Sequence, residues 1–315
     1  MLGPNYPVIV GPTAGGKTSL AVALTQQFDQ IGTPTEIVTA DAFQVYRGMD
    51  IGTAKPTREE QGSIPHHLID LVEPTERFTV HDWLNLAEPL IDDLRVRGII
   101  PIVVGGTNLY IKSFLDGMFQ SPEPSEEIRD RVRSMEQDQR RANLYDADRA
   151  AHERIHASDH RRTARALEVF LQTGTPISEL QQQWEADKVA RPDAVLVGLD
   201  WDAEEIKSRA NQRVKMMVEM GLVDEVRGLF ERGVLGDQAS QAIGYKQLLV
   251  HFEGRCSLEE AIERVKIETR RLAKNQRTWL RRLKPRAGSI WVQASGRDPS
   301  ELATEVIGRI NDEDC

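Results

Sequence analysis

Residues 11–18, GPTAGGKT, decide the fold of this chain, because they match the phosphate-binding pattern G-x-x-x-x-G-K-[ST]. Residues 6–10 before them form an apolar run typical of a buried strand. Residues 19–28 after them repeat apolar side chains near a period of 3.6. Strand, glycine-rich loop and helix is the context that the pattern requires. A turn that only connects two elements is the alternative, and the agreement of motif and context goes against it.

The residue types of the loop suit phosphate chemistry. The glycines allow a tight turn that points successive N–H groups at phosphate oxygens, and the next helix adds the positive end of its dipole. Lys17 supplies a cation for the terminal phosphates, and the Thr18 hydroxyl is placed to ligate Mg²⁺. The expected phosphate-binding residues are Gly11, Pro12, Thr13, Ala14, Gly15, Gly16, Lys17 and Thr18. The loop does not identify its ligand, since a pyrophosphate ester fits it as well as ATP does.

Composition narrows the class of protein. The chain has 315 residues and a formal charge of −9, so a nucleic-acid partner must be met by a local basic surface. Its only cysteines, Cys256 and Cys315, favour a reducing compartment and argue against a disulfide framework or a zinc module. The start lacks the pattern of a signal peptide, and no apolar run approaches the length of a membrane span. We therefore expect a soluble cytoplasmic protein without a membrane partner.

Further buried strands predict an open parallel sheet. Residues 36–39, 99–104 and 194–199 have the pattern of buried strands, and the first two lead to Asp41 and to Gly105-Gly106-Thr107. Ligands of such sheets sit beyond the carboxyl ends of the strands, so Asp41 and Thr107 should share a rim with the phosphate loop. From position alone, Asp41 is a ligand of Mg²⁺-bound water, a base or a helix N-cap, and Thr107 is a ligand contact or a plain N-cap.

The segment 47–56, RGMDIGTAKP, has turn residues and little apolar periodicity. It is therefore typical of a functional loop. Within it, Lys55 is either a phosphate contact or, more in keeping with its residue type, a solvated surface lysine.

A change of character at residue 121 predicts an insertion. SPEPSEE is a charged break rich in proline, and residues 128–171 have a charged helical pattern. We predict an α/β fold of the P-loop NTPase type: a parallel sheet core flanked by helices, made of residues 1–120 and 192–315, with an all-helical domain at 121–191. Within that domain, Arg161, Arg162 and Arg165 form either a basic face or an ordinary solvated one.

The strongest electrostatic feature is the segment 270–286, RRLAKNQRTWLRRLKPR, which has eight Lys or Arg and no acid. Five cations follow helical steps of three and four and should share one face: Arg270, Lys274, Arg277, Arg281 and Lys284. In a chain of negative net charge, this basic stripe indicates contact with a nucleic-acid backbone. The alternative is a helix paired with acidic partners in the same fold.

These residues resemble one family, the bacterial tRNA dimethylallyltransferases, also called tRNA isopentenyltransferases. The resemblance runs nearly end to end and includes PHHLID, and its specific motifs are MDIGTAKP, QAIGYK and the Q-x-T-W-x-R stretch. It implies transfer of a dimethylallyl group from dimethylallyl diphosphate to the N6 amine of the adenine just 3′ of the anticodon, in tRNAs that read U-initial codons. The loop would then hold the diphosphate leaving group, and the partners would be a tRNA anticodon stem-loop and dimethylallyl diphosphate, with Mg²⁺ as cofactor. We expect a monomer, although the residues themselves do not determine the oligomeric state.

The resemblance also assigns roles residue by residue. Asp41 matches the general base, and Thr107 and Arg213 match contacts near the diphosphate and the reaction centre. The positions that match tRNA contacts are Asp41, Ala42, Phe43, Gln44, Thr107, Arg129, Arg161, Arg162, Thr163, Ala164, Arg165, Ala242, Ile243, Gly244, Tyr245, Lys246, Gln247, Lys274, Asn275, Gln276, Arg277, Thr278, Trp279, Leu280 and Arg281. Among these, Gln44 matches a position that reads the extruded adenine. Ala42 departs from the family, which usually has Ser there.

Two other functions share the loop. A small-molecule kinase would use it for ATP, but no adenine or ribose contact is evident in the sequence. An RNA-binding NTPase switch would combine it with the basic stripe and would lack prenyl chemistry. Which tRNA species is preferred does not follow from the residues.

Overall fold

The computed structural model describes residues 5–118, 123–186 and 190–313, with the side chains of 182–186 and 312–313 left out. Two compact units divide the chain, one made of residues 1–112 and 192–315 and the other of 113–191. The second unit thus begins before the predicted boundary at residue 121, which itself lies outside the described residues. Its end at Arg191 is the end predicted for the insertion.

The first unit is built on a sheet of six strands in the order β3-β2-β4-β1-β5-β6, in which every neighbouring pair is parallel. This confirms the predicted α/β class. The strands are β1 Tyr6–Val10, β2 Thr35–Ala40, β3 His66–His67, β4 Ile100–Gly105, β5 Ala194–Asp200 and β6 Ile290–Gln293. The central strands are continuous apolar runs because helices cover both faces of such a sheet.

The register brings the predicted site together. Val10 pairs with Gly105 on one side and with Gly198 on the other, and Gly105 pairs with Ala40. The ends of β1, β2 and β4 are therefore level, and the chain leaves them into residues 11–18, 41–46 and 106–107. The prediction that Asp41 and Thr107 share a rim with the phosphate loop is confirmed.

Helices account for most of the remaining first unit. They are α1 Lys17–Gln30, α2 Arg58–Gln61, α3 Val80–Val96, α4 Asn108–Asp116, α10 Ala203–Glu219, α11 Leu222–Glu231, α12 Tyr245–Phe252, α13 Leu258–Leu280 and α14 Pro299–Glu313, with a 3₁₀ turn at Ala239–Gln241. Helix α4 begins in the first unit and ends in the second. Packing pairs α1 with α14 and α10 with α13.

The basic stripe is only partly one helical face. Helix α13 ends at Leu280, so Lys284 lies in the turns that follow, and the prediction that five cations share one face is wrong for it. Lys284 is instead ion-paired with Asp200, and Arg270 lies 3.6 Å from Glu263 and donates to Asn211. At these two positions the structure shows the alternative, in which the cations pair with acidic or polar side chains of the same fold.

The second unit is helical, as predicted. Its own helices are α5 Glu126–Ser134, α6 Gln137–Ala147, α7 Arg149–Arg154, α8 His160–Thr173 and α9 Ile177–Ala186. A buried cluster forms its core: Val132, Leu144, Ala151, Ile155, Ala166 and Leu167. Asp148 is buried at the start of α7, where its carboxylate accepts from the Ala151 N–H and from Ser178. This unit therefore has a hydrophobic core of its own.

Candidate active site

The phosphate loop has the strained backbone of an anion-binding turn. Ala14 and Gly16 are both left-handed, with φ of 60° and 77°. A methyl group at Gly15 would lie 2.8 Å from the carbonyl oxygen of Pro12, so only glycine fits there. Two loop N–H groups are used within the protein, since Thr13 donates to Gln276 and Gly15 donates to Pro12. Among the described residues, none accepts from the N–H groups of Lys17 and Thr18, which start α1.

Three distant side chains hold the loop from outside. Gln276 accepts from the Thr13 N–H at 2.7 Å, Arg209 donates to the Ala14 carbonyl at 3.0 Å, and Trp201 donates to the Gly15 carbonyl at 3.1 Å. The Arg209 guanidinium also lies over the Trp201 ring, 4.5 Å from its centroid. Consecutive peptide groups are thus fixed, so the N–H groups at the start of α1 are oriented before a ligand arrives. Sequence reasoning missed this role for all three residues.

Lys17 is the loop cation. Its ammonium donates to the carbonyl oxygens of Gly11 and Pro12, at 3.1 and 3.0 Å. Burial lowers the pKa of Lys17 to about 8, with a further lowering by Arg213 and an opposing effect of Asp41. Burial likewise lowers the pKa of Arg213, and Asp41 again opposes it. Two cations and one carboxylate therefore lie within electrostatic reach of one another at this rim.

The two carboxylate oxygens of Asp41 differ in their hydrogen-bond partners. The Oδ1 atom accepts from the N–H groups of Phe43 and Gln44, at 2.9 and 3.3 Å. This is the capping geometry predicted as one alternative, although it caps a turn and not a helix. No described residue donates to Oδ2, which leaves that oxygen for chemistry. Thr107 supports the same segment, because its hydroxyl accepts from the Ala42 N–H at 3.0 Å.

A small pocket of about 40 Å³ opens beside these groups. Lys17, Thr18, Asp41 and Gln44 give it a polar end. Its other walls are largely apolar: Ala21, Ile37, Thr39, Pro56, His66, Val104, Gly105 and Gly106. The Gln44 amide is fixed in this pocket, since its Nε2 donates to the carbonyls of Thr53 and Ala54, both at 3.1 Å. Its remaining oxygen is an acceptor only.

The segment 47–56 is a loop, as predicted, but Lys55 is neither a phosphate contact nor a surface lysine. It is 8% exposed, and its ammonium donates to Asp50 and Asp70, at 2.6 and 2.5 Å, and to the Tyr46 carbonyl at 2.8 Å. A buried ammonium needs such partners to offset its lost hydration. Lys55 therefore fixes the shape of the loop that carries the acceptors of Gln44.

Glu225 secures the same loop from α11. Its carboxylate accepts from the N–H groups of Asp50, Ile51 and Gly52, at 2.9, 2.7 and 3.1 Å, and from the Tyr245 hydroxyl at 2.5 Å. Burial, followed by the charge of Glu225, raises the pKa of the fully buried Tyr245. The side chains of Tyr245 and Ala242 are both buried. A tRNA contact at these two positions would therefore involve backbone atoms. Lys246, next to Tyr245, is exposed.

Helix α13 presents a mixed face. Lys274, Asn275 and Thr278 are exposed on its last turns, as is Arg281 just beyond them, and Arg277 and Trp279 are half-buried. Gln276 and Leu280 are buried, at 5% and 3% exposure. The exposed residues remain candidates for tRNA contact, whereas the Gln276 side chain faces the phosphate loop.

In the second unit, the predicted tRNA residues also separate by exposure. Arg161 and Arg162 are exposed, whereas Thr163 is fully buried and donates to the Asp159 carbonyl at 2.8 Å. Ala164 and Arg165 are half-buried. Arg129 is ion-paired with Glu126 and Glu123, and its hydrogen bond to Glu126 is the main cause of its raised pKa. Among the predicted tRNA residues of this unit, the exposed cations are thus Arg161 and Arg162, of which Arg162 lies 3.5 Å from Asp159.

The donor atoms fit Mg²⁺ only together with a phosphate ligand. No group of three His, Cys, Asp or Glu side chains that could hold a metal occurs in the described part of the chain. Mg²⁺ commonly takes one or two protein oxygens and completes its octahedron with water and substrate phosphates. Thr18 lines the pocket that Asp41 and Lys17 also line, so its hydroxyl suits that kind of site.

No described helix is long and apolar enough to cross a membrane.

Known proteins share this architecture and sequence. The family model described as IPP transferase matches residues 44–283, and one described as isopentenyl transferase matches residues 4–70. A tRNA dimethylallyltransferase of Geobacillus kaustophilus is 44% identical over 285 residues, 88% of each chain. That of Anoxybacillus flavithermus is 41% identical over 90% of this chain and 89% of its own.

Solved structures agree. The tRNA isopentenylpyrophosphate transferase of Bacillus halodurans superposes with a TM-score of 0.71 at 35% identity, covering 99% of this chain and 98% of its own. A eukaryotic dimethylallyltransferase described as acting on tRNA gives a TM-score of 0.81 at 28% identity, covering 98% of this chain and 77% of its own. Since a family model covers most of the chain and close relatives match it almost end to end, the chain belongs to the IPP transferase family.

Proposed function

We propose that this chain transfers a dimethylallyl group from dimethylallyl diphosphate to the N6 amine of the adenine 3′-adjacent to the anticodon, in tRNAs that read U-initial codons. The observation that supports this best is one pocket with a cationic phosphate loop, a carboxylate with one uncommitted oxygen and apolar walls. Membership of the IPP transferase family supports the reaction class. The G-x-x-x-x-G-K-[ST] loop therefore serves a prenyl donor and not ATP.

The loop acts on the leaving group. When the allylic C–O bond breaks, negative charge builds on the diphosphate, and groups fixed in advance stabilise it most effectively. Lys17 and the N–H groups at the start of α1 supply such stabilisation, and Arg213 adds a second cation at the same rim. Mg²⁺ held by the Thr18 hydroxyl and the diphosphate would add further neutralising charge.

The nucleophile needs a proton acceptor. The amine nitrogen forms the new C–N bond while the C–O bond breaks, and it then carries a proton that must leave. Asp41 takes this proton on Oδ2, because Oδ1 is committed to the N–H groups of Phe43 and Gln44. The neutral exocyclic amine is a far weaker acid than a carboxylic acid, so its proton passes to the carboxylate only as the C–N bond forms and the nitrogen becomes cationic.

The adenine must leave its stack to enter the pocket. Gln44 lines that pocket with a fixed acceptor oxygen, which suits an amine donor on the base. Exposed cations on α13 and on α8 suit the phosphate backbone of the anticodon stem-loop. The tRNA would thus be held by its backbone while one base is read in the pocket.

The position of the product tests the proposal. Purified protein is incubated with Mg²⁺, dimethylallyl diphosphate and an unmodified tRNA that reads a U-initial codon, and the RNA is digested to nucleosides and fragments for mass spectrometry. We expect one prenyl group, on the adenine 3′ of the anticodon, and none on a tRNA with guanine at that position. Prenyl groups on another nucleotide of either tRNA would contradict the proposed specificity.

A further inference from the structure

We infer that Gln276 is a positioning residue of the diphosphate loop. Its side chain is 5% exposed and is placed between two turns of the active site. The Oε1 atom accepts from the Thr13 N–H at 2.7 Å, and Nε2 donates to the Gly106 carbonyl at 2.9 Å. Both ends of one amide are therefore satisfied by backbone groups of the site.

The two turns that Gln276 joins are those that carry the chemistry. The first turn is the phosphate loop itself. The second turn runs from Gly106 to Thr107, whose hydroxyl accepts from the Ala42 N–H beside Asp41. A single buried amide on α13 thus links the diphosphate loop to the segment that carries the base. No other described side chain hydrogen-bonds to both turns.

Gln276 also borders Lys17. A methyl group built on Gly106 would lie 3.3 Å from Gln276 Nε2 and 3.5 Å from Lys17 Nζ, so both side chains adjoin the same glycine. An amide is suited to this position because it is neutral, and it can donate at one end and accept at the other. A carboxylate here would face the Gly106 carbonyl without a donor, and a cation would add to the charges of Lys17 and Arg213.

Removing the amide leaves two partly buried backbone groups, the Thr13 N–H and the Gly106 carbonyl, without partners, which is costly. The loop can recover a partner for Thr13 only by shifting, and a shift moves the neighbouring N–H groups away from the diphosphate. The expected consequence is weaker binding of the prenyl donor with tRNA affinity retained. A residue that touches tRNA directly would show the opposite pattern.

The inference rests on the proposed function and is tested with Gln276→Met, which keeps the volume and loses both hydrogen bonds. We expect the KM for dimethylallyl diphosphate, and the dissociation constant of inorganic diphosphate measured by calorimetry, to rise roughly tenfold. The KM for tRNA should stay at the wild-type value. Lys274→Gln, an exposed neighbour on the same helix, should weaken tRNA and leave diphosphate binding unchanged.

Thr269→Val is the matched control for the loss of a buried polar group on α13. Thr269 is 8% exposed, and its hydroxyl donates only to the Val265 carbonyl of the same helix. Both KM values of the variant should therefore be unchanged. Unchanged diphosphate binding in Gln276→Met, or a raised KM for tRNA alone, would overturn the inference. Absence of prenyl transfer by the wild-type protein would instead overturn the proposed function, so the two failures are distinguishable.

Discussion

At the scale of single residues, Asp41 combines a structural and a chemical task in one carboxylate. Asp41→Asn keeps an acceptor for the N–H groups of Phe43 and Gln44 and removes the basic oxygen. We therefore expect kcat for prenyl transfer to fall by about 10²- to 10⁴-fold, with the melting temperature and the dissociation constant for tRNA retained. Single-turnover transfer and filter binding measure the two effects. A variant that transfers at the wild-type rate would remove Asp41 from the role of base.

The charge of Lys17 should make the binding of diphosphate depend on pH. Its pKa is lowered from 10.5 to about 8, so in the folded protein the ammonium is lost as the pH rises through 8. Binding of inorganic diphosphate to the free protein should weaken over this range, because a cation of the loop disappears. The unfolded chain keeps its proton up to its ordinary pKa, so Lys17 makes stability rise with pH between the two values.

Lys17→Arg provides the control, because a guanidinium stays charged throughout. Titration calorimetry with diphosphate between about pH 7 and pH 9.5 spans the two Lys17 states. We expect the affinity of the wild-type protein to fall across this range and that of the variant to change little. Equal pH profiles would show that another group controls binding.

At the scale of elements, α11 and α12 shape the loop 47–56 through Glu225 and Tyr245. Tyr245→Phe removes a buried hydrogen bond to a carboxylate that also accepts from Asp50, Ile51 and Gly52. The free energy of unfolding should fall by about 1–3 kcal/mol. The salt dependence of tRNA binding should not change, because the side chain is buried. A reduced salt dependence with normal stability would instead mean a direct contact with RNA.

The end of α13 is expected to meet the tRNA backbone. No ion pair of Arg277 or Arg281 with another described residue lies within 4 Å, whereas Lys284 is paired with Asp200. Replacing Arg277 and Arg281 with Gln should weaken tRNA binding and reduce the slope of log K against log salt by about 1.5. Lys284→Gln should have a smaller effect on that slope. An unaltered slope in the double variant would place these cations away from RNA.

The elements also show what could be predicted from the sequence. Strands β1, β4 and β5 are mostly apolar runs, and β2 has the β-branched core Ile37-Val38-Thr39, so their patterns predict them and align Asp41 and Thr107 with the loop. Strand β3 is only His66–His67, and β6 has four residues, so neither produces a clear periodic signal. The residues that hold the loop are 263, 195 and 186 positions away from it along the chain, and only the folded structure brings them together.

At the scale of the whole molecule, the second unit has a hydrophobic core of its own, and we expect the two units to have separate tasks. Leu167 is buried in the core of the second unit, whereas the diphosphate loop belongs entirely to the first. Leu167→Ala should destabilise the second unit by about 2–5 kcal/mol. Affinity for inorganic diphosphate should be unchanged, and the KM for tRNA should rise. Hydrogen exchange by mass spectrometry locates the destabilisation, and a loss of protection in residues 11–18 would contradict this division.

We propose that the phosphate loop binds a prenyl donor, and the fate of two labelled substrates tests this role most directly. Purified protein is mixed with Mg²⁺, an unmodified tRNA that reads a U-initial codon, dimethylallyl diphosphate labelled in its carbon chain and ATP labelled at its terminal phosphate, and the label in the RNA is followed. We predict that prenyl label enters the tRNA with release of diphosphate and that ATP is not consumed. ATP turnover without prenyl transfer would contradict this role of the loop and favour a kinase or an RNA-binding NTPase.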